Sequence, residues 1–150
     1  MKIEFLLITI ALACKVSTHS LHFDEIEFDS DCMKAMCQAD SECIQKGCAR
    51  DDFGRLGCGY FRMNIWQFKQ CYEPGRDIGE DSEDAWIRCS ESYECASKCI
   101  KMIASRFRLK CYGKSDCETI ARIHDGGANG CRTGLTLKYW ESVRSYCKNC

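Results

Sequence analysis

Residues 37–61 read Cys37-Gln-Ala-Asp-Ser-Glu-Cys43-Ile-Gln-Lys-Gly-Cys48-Ala-Arg-Asp-Asp-Phe-Gly-Arg-Leu-Gly-Cys58-Gly-Tyr-Phe61. Four cysteines within 22 residues, with carboxylates counted off from them, decide how the rest of the chain is read. Asp40 sits between Cys37 and Cys43 on a segment with helical spacing, and Asp51 and Asp52 sit between Cys48 and Cys58 in a stretch of turn formers. A carboxylate on a helix facing another on a neighbouring loop across a cleft is the arrangement that glycosidic bond cleavage requires.

The whole chain carries 15 cysteines in 150 residues. One of them, Cys14, falls in an apolar N-terminal stretch, residues 1–20, that has the short hydrophobic run (Phe5 to Ala13) of a secretory leader and is too short to span a bilayer. Cleavage after Ala13 fits the small-residue rule, but a cut in the Ser17 to Ser20 region removes Cys14 and leaves an even set. That set is Cys32, Cys37, Cys43, Cys48, Cys58, Cys71, Cys89, Cys95, Cys99, Cys111, Cys117, Cys131, Cys147 and Cys150. In an exported protein these are expected to pair as disulfides, each restricting the unfolded chain by about 3 kcal/mol in the loop-entropy model. Their connectivity does not follow from spacing. Cys95, Cys99 and His124 offer a metal alternative, which the dispersed, even set of cysteines outweighs; no metal or cofactor is expected.

An acidic segment, 21–31, precedes the expected domain at 32–150. The formal charge of −1 becomes −2 once Lys2, Lys15 and Glu4 leave with the leader, which argues against nucleic acid as a partner and against membrane insertion. The basic stretch Lys98, Lys101, Arg106, Arg108, Lys110 and Lys114 reads first as the solvated face of a helix, and second as a contact for an anionic polymer.

Four helices are expected. Asp31 could cap the first, with Cys32, Met36, Ala39 and Cys43 on one face. The second runs from about Ser92 to Arg108. The third opens on the capping box Ser115-Asp-Cys-Glu118 and stops at Gly126-Gly127. The last spans about Thr136 to Cys147, with Leu137, Trp140, Val143 and Cys147 inward. From Gly47 to Glu80 the chain reads as turns, with Leu56 to Met63 the best candidate for short strand pairing. The fold class is therefore α+β, mainly helical with a small β/loop subdomain and rich in disulfides.

The run Cys37-x-x-Asp-Ser-x-Cys43-x-x-x-Gly-Cys48, then Asp52-x-Gly-x-Leu-x-Cys-Gly-Tyr-Phe61, then Ala121-Arg-Ile-His-Asp-Gly-Gly-Ala-Asn-Gly-Cys131 and Tyr139-Trp140, resembles the invertebrate-type (i-type) lysozyme or destabilase family over nearly all of 32–147. The stretch Gly79 to Cys89 is most similar to nematode members. The resemblance implies a lysozyme-like fold and hydrolysis of the β-1,4 bonds of bacterial peptidoglycan by a secreted monomer, in defence or digestion. It implies Asp40 as general acid, where the family carries Glu, and Asp52 as nucleophile or charge stabiliser, with Asp51 as the alternative. Tyr60, Phe61 and His124 are implied as sugar contacts. Gly57 and Asn64 stand where some members carry the Ser and Lys assigned to an isopeptidase activity, which is not expected here. An Asp retreats by roughly 1 to 1.5 Å relative to Glu, and a misplacement near 1 Å can cost about a hundredfold in rate. A weakened enzyme is the first expectation; a scaffold that binds peptidoglycan or chitin oligosaccharide without cleaving it is the second.

Overall fold

The structure, a computed structural model, describes residues 30–150. The leader expected at 1–20 and all but the last two residues of the segment 21–31 lie outside the described residues. Among these, no helix is long and apolar enough to cross a membrane.

Helix α1 (Ser30–Ser41) buries Cys32, Met33, Met36 and Cys37, two i,i+4 pairs that form one stripe. The stripe does not continue to Cys43. Glu42 and Cys43 take φ of 60° and 54°, and their N–H groups close on the carbonyls of Gln38 and Cys37 at 3.1 and 3.0 Å. This left-handed turn ends the helix at Ser41 and brings Cys43 back to its disulfide partner Cys37.

The β/loop part is smaller than Leu56 to Met63 suggested. Strands β1 (Ala49–Arg50) and β2 (Leu56–Gly57) pair antiparallel, Ala49 opposite Gly57 and Arg50 opposite Leu56. The Cys48–Cys58 bridge closes the hairpin at its base. Immediately after it, Cys58 pairs with Met63 across a tight turn.

Two helices lie where turns or nothing regular were expected. Helix α2 (Ile65–Gln70) is opened by a capping box in which Asn64 and Gln67 exchange side-chain-to-backbone hydrogen bonds. Helix α3 (Ser82–Ser90) is capped by Asp81, whose carboxylate accepts from the Glu83 N–H. The remaining helices match expectation closely. Helix α4 (Tyr93–Phe107) is capped by Ser92. Helix α5 (Asp116–Gly126) is capped by Ser115 and followed by Gly127 at φ 64°. Helix α6 (Leu137–Tyr146) buries Trp140 and Val143, although Leu137, expected inward, is exposed. Short 3-10 turns at Arg108–Cys111, Gly127–Arg132 and Gly134–Thr136 connect them.

The core gathers Met36, Phe61, Phe68, Trp86, Ile100, Ile120 and Val143, all nearly or fully buried. Trp86 satisfies its indole N–H on the Met63 carbonyl at 2.9 Å, tying α3 to the end of the β part. Arg122 on α5 is 4 % exposed. It donates to Glu118 at 2.8 Å, to the Thr136 hydroxyl at 3.0 Å and to the Thr133 carbonyl at 2.8 Å. A buried cation holds its place only when paired and hydrogen-bonded, and here its partners also fix the irregular segment between α5 and α6. Gly130 lies so near the Arg122 carbonyl that a Cβ there would sit 1.7 Å from it.

All fourteen half-cystines are paired. The bridges are Cys32–Cys117, Cys37–Cys43, Cys48–Cys58, Cys71–Cys99, Cys89–Cys95, Cys111–Cys131 and Cys147–Cys150. Cys32–Cys117 joins α1 to α5 and Cys71–Cys99 joins the end of α2 to α4, so the two acting at longest range staple helices that the core also packs together.

Candidate active site

A cleft of about 450 Å³ opens between the β hairpin and the ends of α1, α5 and α6, and both Asp40 and Asp52 line it. The two acids reach it from opposite kinds of backbone: Asp40 from the last full turn of α1, Asp52 from the tip of the hairpin.

Asp40 is almost withdrawn from solvent, its side chain 9 % exposed. The Tyr139 hydroxyl on α6 donates to its Oδ2 at 2.9 Å, and His124 Nε2 on α5 lies 3.5 Å from the same oxygen. Burial raises the Asp40 pKa above the ordinary 3.8; hydrogen bonds from His124 and Tyr139 and the charge of Arg62 oppose this without cancelling it. The carboxyl therefore keeps its proton to higher pH than a free aspartate would. Burial, with the nearby Asp40 charge, drives the Tyr139 phenol well above its usual range, so it remains a donor.

The hydrogen bonds around His124 define its proton. Gln67 accepts the Asn64 N–H on Oε1 at 2.8 Å as part of the α2 capping box. That leaves the amide NH2 to face His124, donating to Nδ1 at 3.1 Å and to the His124 carbonyl at 2.8 Å. With Nδ1 accepting, the ring proton lies on Nε2 and is donated to the Phe61 carbonyl at 2.9 Å. Burial disfavours charge on this ring, while the hydrogen bond and charge of Asp40 and the Phe61 carbonyl favour it and raise its pKa. A second proton at Nδ1 would nonetheless require Gln67 to turn its amide and give up the cap.

The two neighbouring acids of the hairpin have separate tasks. Asp51 accepts the N–H groups of Phe53 and Arg55 at 2.9 and 2.8 Å, and pairs with the Arg55 guanidinium at 2.6 Å. Burial pushes the Asp51 carboxyl up, but these hydrogen bonds and the charge of Arg55 together outweigh it and hold the carboxyl below its usual range. Arg55 also reaches Asp125, 3.6 Å from its carboxylate, so the hairpin is fastened to the C-terminal end of α5. Asp52 is exposed and makes no hydrogen bond or ion pair within the described residues.

The aromatic pair expected as sugar contacts is placed otherwise. Phe61 is fully buried, its ring centroid 5.2 Å from that of Tyr93. It meets the cleft through the carbonyl that His124 uses. Tyr60 packs edge-on against Tyr93 at 5.8 Å, away from the cleft lining. Both rings are taken by the core, because the turn from Cys58 to Met63 points them under α4 rather than over the hairpin. His124 lines the cleft, but its side chain is 7 % exposed and both ring nitrogens are occupied by protein. Tyr139, Gln67, Arg62 and Arg55 join the site without having been singled out for it. The Asn64-x-x-Gln67 spacing, a capping box, signals one of them, and Tyr139 stands in the Tyr139-Trp140 pair of the family pattern.

The metal alternative fails on connectivity: Cys95 is bonded to Cys89 and Cys99 to Cys71. The sulfurs of Cys32, Cys117 and Cys150 come within 4.8 Å of one another, but all three belong to disulfides and offer no thiolate.

A buried carboxyl with a raised pKa and an unengaged carboxylate lining one cleft, on a mainly helical disulfide-bonded α+β fold, agree with a glycoside hydrolase of the lysozyme class. The sequence profile of the Destabilase family matches residues 29–147, and the chain belongs to that family, the invertebrate-type lysozymes. It is 41% identical over 117 residues to invertebrate-type lysozyme 6 of Caenorhabditis elegans, covering 77% of this chain and 84% of that one. It is 39% identical over 114 residues to an invertebrate-type lysozyme of Ruditapes philippinarum, covering 75% and 77%. Among solved structures, the Tapes japonica lysozyme superposes with a TM-score of 0.68 at 36% identity, covering 81% of this chain and 94% of that chain. The Meretrix lusoria lysozyme, solved in complex with Aeromonas hydrophila PliI, gives 0.66 at 31% identity, covering 81% and 92%.

Proposed function

We propose that this protein is a secreted muramidase that hydrolyses the β-1,4 bond between N-acetylmuramic acid and N-acetylglucosamine in bacterial peptidoglycan, in antibacterial defence or in digestion of bacteria. The observation that carries it is the contrast between the two acids: Asp40 buried with a raised pKa, Asp52 exposed and unengaged. Protonated Asp40 gives its proton to the glycosidic oxygen as the bond breaks. Asp52, ionised, meets the positive charge that develops at the sugar carbon, either by bonding to it or by stabilising it. Asp40, now a carboxylate, then takes a proton from the incoming water. Asp51 is unsuited to the second role, because both of its oxygens serve the hairpin and Arg55. Seven disulfides agree with residence in an oxidising, extracellular compartment.

The test is release of reducing ends from purified peptidoglycan. Asp52→Asn is expected to lower the rate by about a hundredfold or more, as loss of a charge aimed at the transition state does. An unchanged rate in that variant removes Asp52 from the mechanism. Tight binding of oligosaccharide by the wild-type protein, with no bond cleaved over long incubation, selects the non-catalytic alternative. That reading draws on the shortened Asp40 being clasped by Tyr139.

The Gln67 arrangement supplies a separate expectation. Gln67→Glu keeps an acceptor for the Asn64 N–H but presents a carboxylate to His124 Nδ1, favouring an imidazolium beside Asp40. A cation there lowers the Asp40 pKa, so the high-pH limb of the rate profile is expected to move to lower pH. A profile that keeps its position shows that His124 does not govern the Asp40 proton.

A further inference from the structure

Among the described residues, Arg62 is the one cation of the cleft whose side-chain donors are left unused. Arg50 donates to the Gly54 carbonyl at 2.6 Å, and Arg55 is shared between Asp51 and Asp125. Arg62 lines the same cleft, half-buried, and makes no side-chain hydrogen bond or ion pair among the described residues. Its charge reaches Asp40. All five of its N–H donors, in a planar fork matched to a carboxylate, are available to a ligand.

The backbone holds this side chain in place at some cost. Arg62 has φ 46°, a conformation disfavoured for any residue with a Cβ, and glycine would be the ordinary occupant of such a turn. The turn cannot relax easily. Cys58 and Met63 exchange both of their backbone hydrogen bonds, at 3.1 and 3.0 Å, on either side of it. The Met63 carbonyl also receives the Trp86 indole. The Arg62 carbonyl lies against Gly57, where a Cβ would come within 2.2 Å. Glu42, Cys43, Tyr72 and Glu73 also take positive φ, but of these left-handed residues Arg62 alone lines the cleft, which agrees with a functional position.

The surrounding charge indicates what the guanidinium is for. Of the acids that line the cleft with it, Asp51 and Asp125 are paired with Arg55 and Asp40 is buried, which leaves Asp52 as the one without a partner among the described residues. A neutral glycan needs no cation there, whereas a glycan carrying carboxylates would be repelled by Asp52 unless a positive group received it. We propose that Arg62 is a specificity-determining residue that binds a carboxylate of an acidic glycan by a bidentate, charge-assisted pair, and so selects muramic-acid-containing strands over chitin. This rests on the peptidoglycan reading above. The carboxylate has two possible sources, the free lactyl group of an unsubstituted muramic residue or an acid of the stem peptide.

The experiment measures dissociation constants for three glycans: chitohexaose, peptide-free N-acetylglucosamine–N-acetylmuramic acid strands, and the same strands bearing stem peptides. Arg62 and the Arg62→Gln and Arg62→Lys variants are compared on an Asp52→Asn background that keeps the strands intact. The preference for acidic strands over chitohexaose is expected to fall about tenfold in Arg62→Gln, the worth of a hydrogen bond to a charged group. Arg62→Lys, which keeps the charge without the fork, is expected to fall between the two. Because the readout is a ratio, a variant that merely unfolds loses both affinities together and does not imitate the effect. A loss confined to peptide-free strands identifies the lactyl group, and one confined to stem-bearing strands identifies the peptide. An unchanged ratio, or no binding of either acidic strand by the Arg62 protein, overturns the proposal. Turnover of the same strands by the wild-type protein is followed separately, so that absent hydrolysis sinks the muramidase reading while the binding ratio still decides the role of Arg62.

Discussion

Asp40→Asn is expected to lower the rate of peptidoglycan hydrolysis by about 10²- to 10⁴-fold, the contribution of a positioned general acid, while leaving the protein folded. Asparagine can still accept from the Tyr139 hydroxyl, so the contact among α1, α5 and α6 survives and only the transferable proton is lost. The sign of the stability change follows from linkage. Asp40 titrates above 3.8 because burial penalises its charged form. The native state therefore holds this proton more firmly than the unfolded chain does. Ionisation of Asp40 subtracts from stability progressively as pH rises from about 3.8 through the raised native value. Asp40→Asn removes that loss, and denaturant unfolding above this window should find the variant no less stable than wild type. Under the proposed mechanism the rate of the wild-type protein is expected to fall over the same rise in pH, because the acid works only when protonated. Asp40→Glu, which restores the missing methylene, is expected to raise the rate about tenfold or more, given the steep penalty for a misplacement near 1 Å. A variant no faster than wild type would show that the end of α1 already compensates for the shorter side chain.

Removing the Cys32–Cys117 bridge by a double serine substitution is expected to cost about 4 to 5 kcal/mol in the loop-entropy model, because the bridge closes a loop of 85 residues. Both sulfurs are buried in the core, so the hydroxyls add desolvation to the loss. The bridge also fixes α1 against α5, the helices that carry Asp40 and His124, so activity should fall before the fold is lost on heating. The same substitution at Cys147 and Cys150, which closes a loop with a separation of 3 at the chain end, is expected to cost only about 2 kcal/mol. Equal midpoints for the two double variants in denaturant unfolding would refute the loop-length argument.

The features legible from sequence are those that local physics decides. Ser92 and Ser115 are strong caps followed by long amphipathic runs, and the helices they open lie where expected. Asp40 and Asp52 could be found by counting from neighbouring half-cystines, and both line the cleft. Helices α2 and α3 do not stand out in the sequence, although Asn64 with Gln67 and Asp81 with Glu83 are start signals of the usual kind. Segments of 6 and 9 residues are too short for periodicity to stand out, and their stability comes from partners elsewhere, Cys99 for the first and the burial of Trp86 for the second. Helix α1 ends at Ser41, earlier than its apolar spacing suggests, since nothing local forecasts left-handed backbone at Glu42 and Cys43. The surroundings of the acid were beyond local reading for the same reason. Tyr139 lies 99 residues from Asp40 in sequence, and only the packing of α6 on α1 brings its hydroxyl to the carboxyl. Tyr60 and Phe61 show the converse: motif position suggested sugar contacts, and packing against Tyr93 claimed both rings.

Gln67 belongs to two structures at once, the start of a six-residue helix and the seat of the His124 proton. A helix that short cannot hold itself by its own hydrogen bonds; Phe68, fully buried in the core, and the Cys71–Cys99 bridge at its end hold it instead. The seat of the His124 proton is therefore set by packing and a covalent link that lie away from the cleft, and a substitution at Phe68 would reach the ring beside Asp40 without touching the cleft lining.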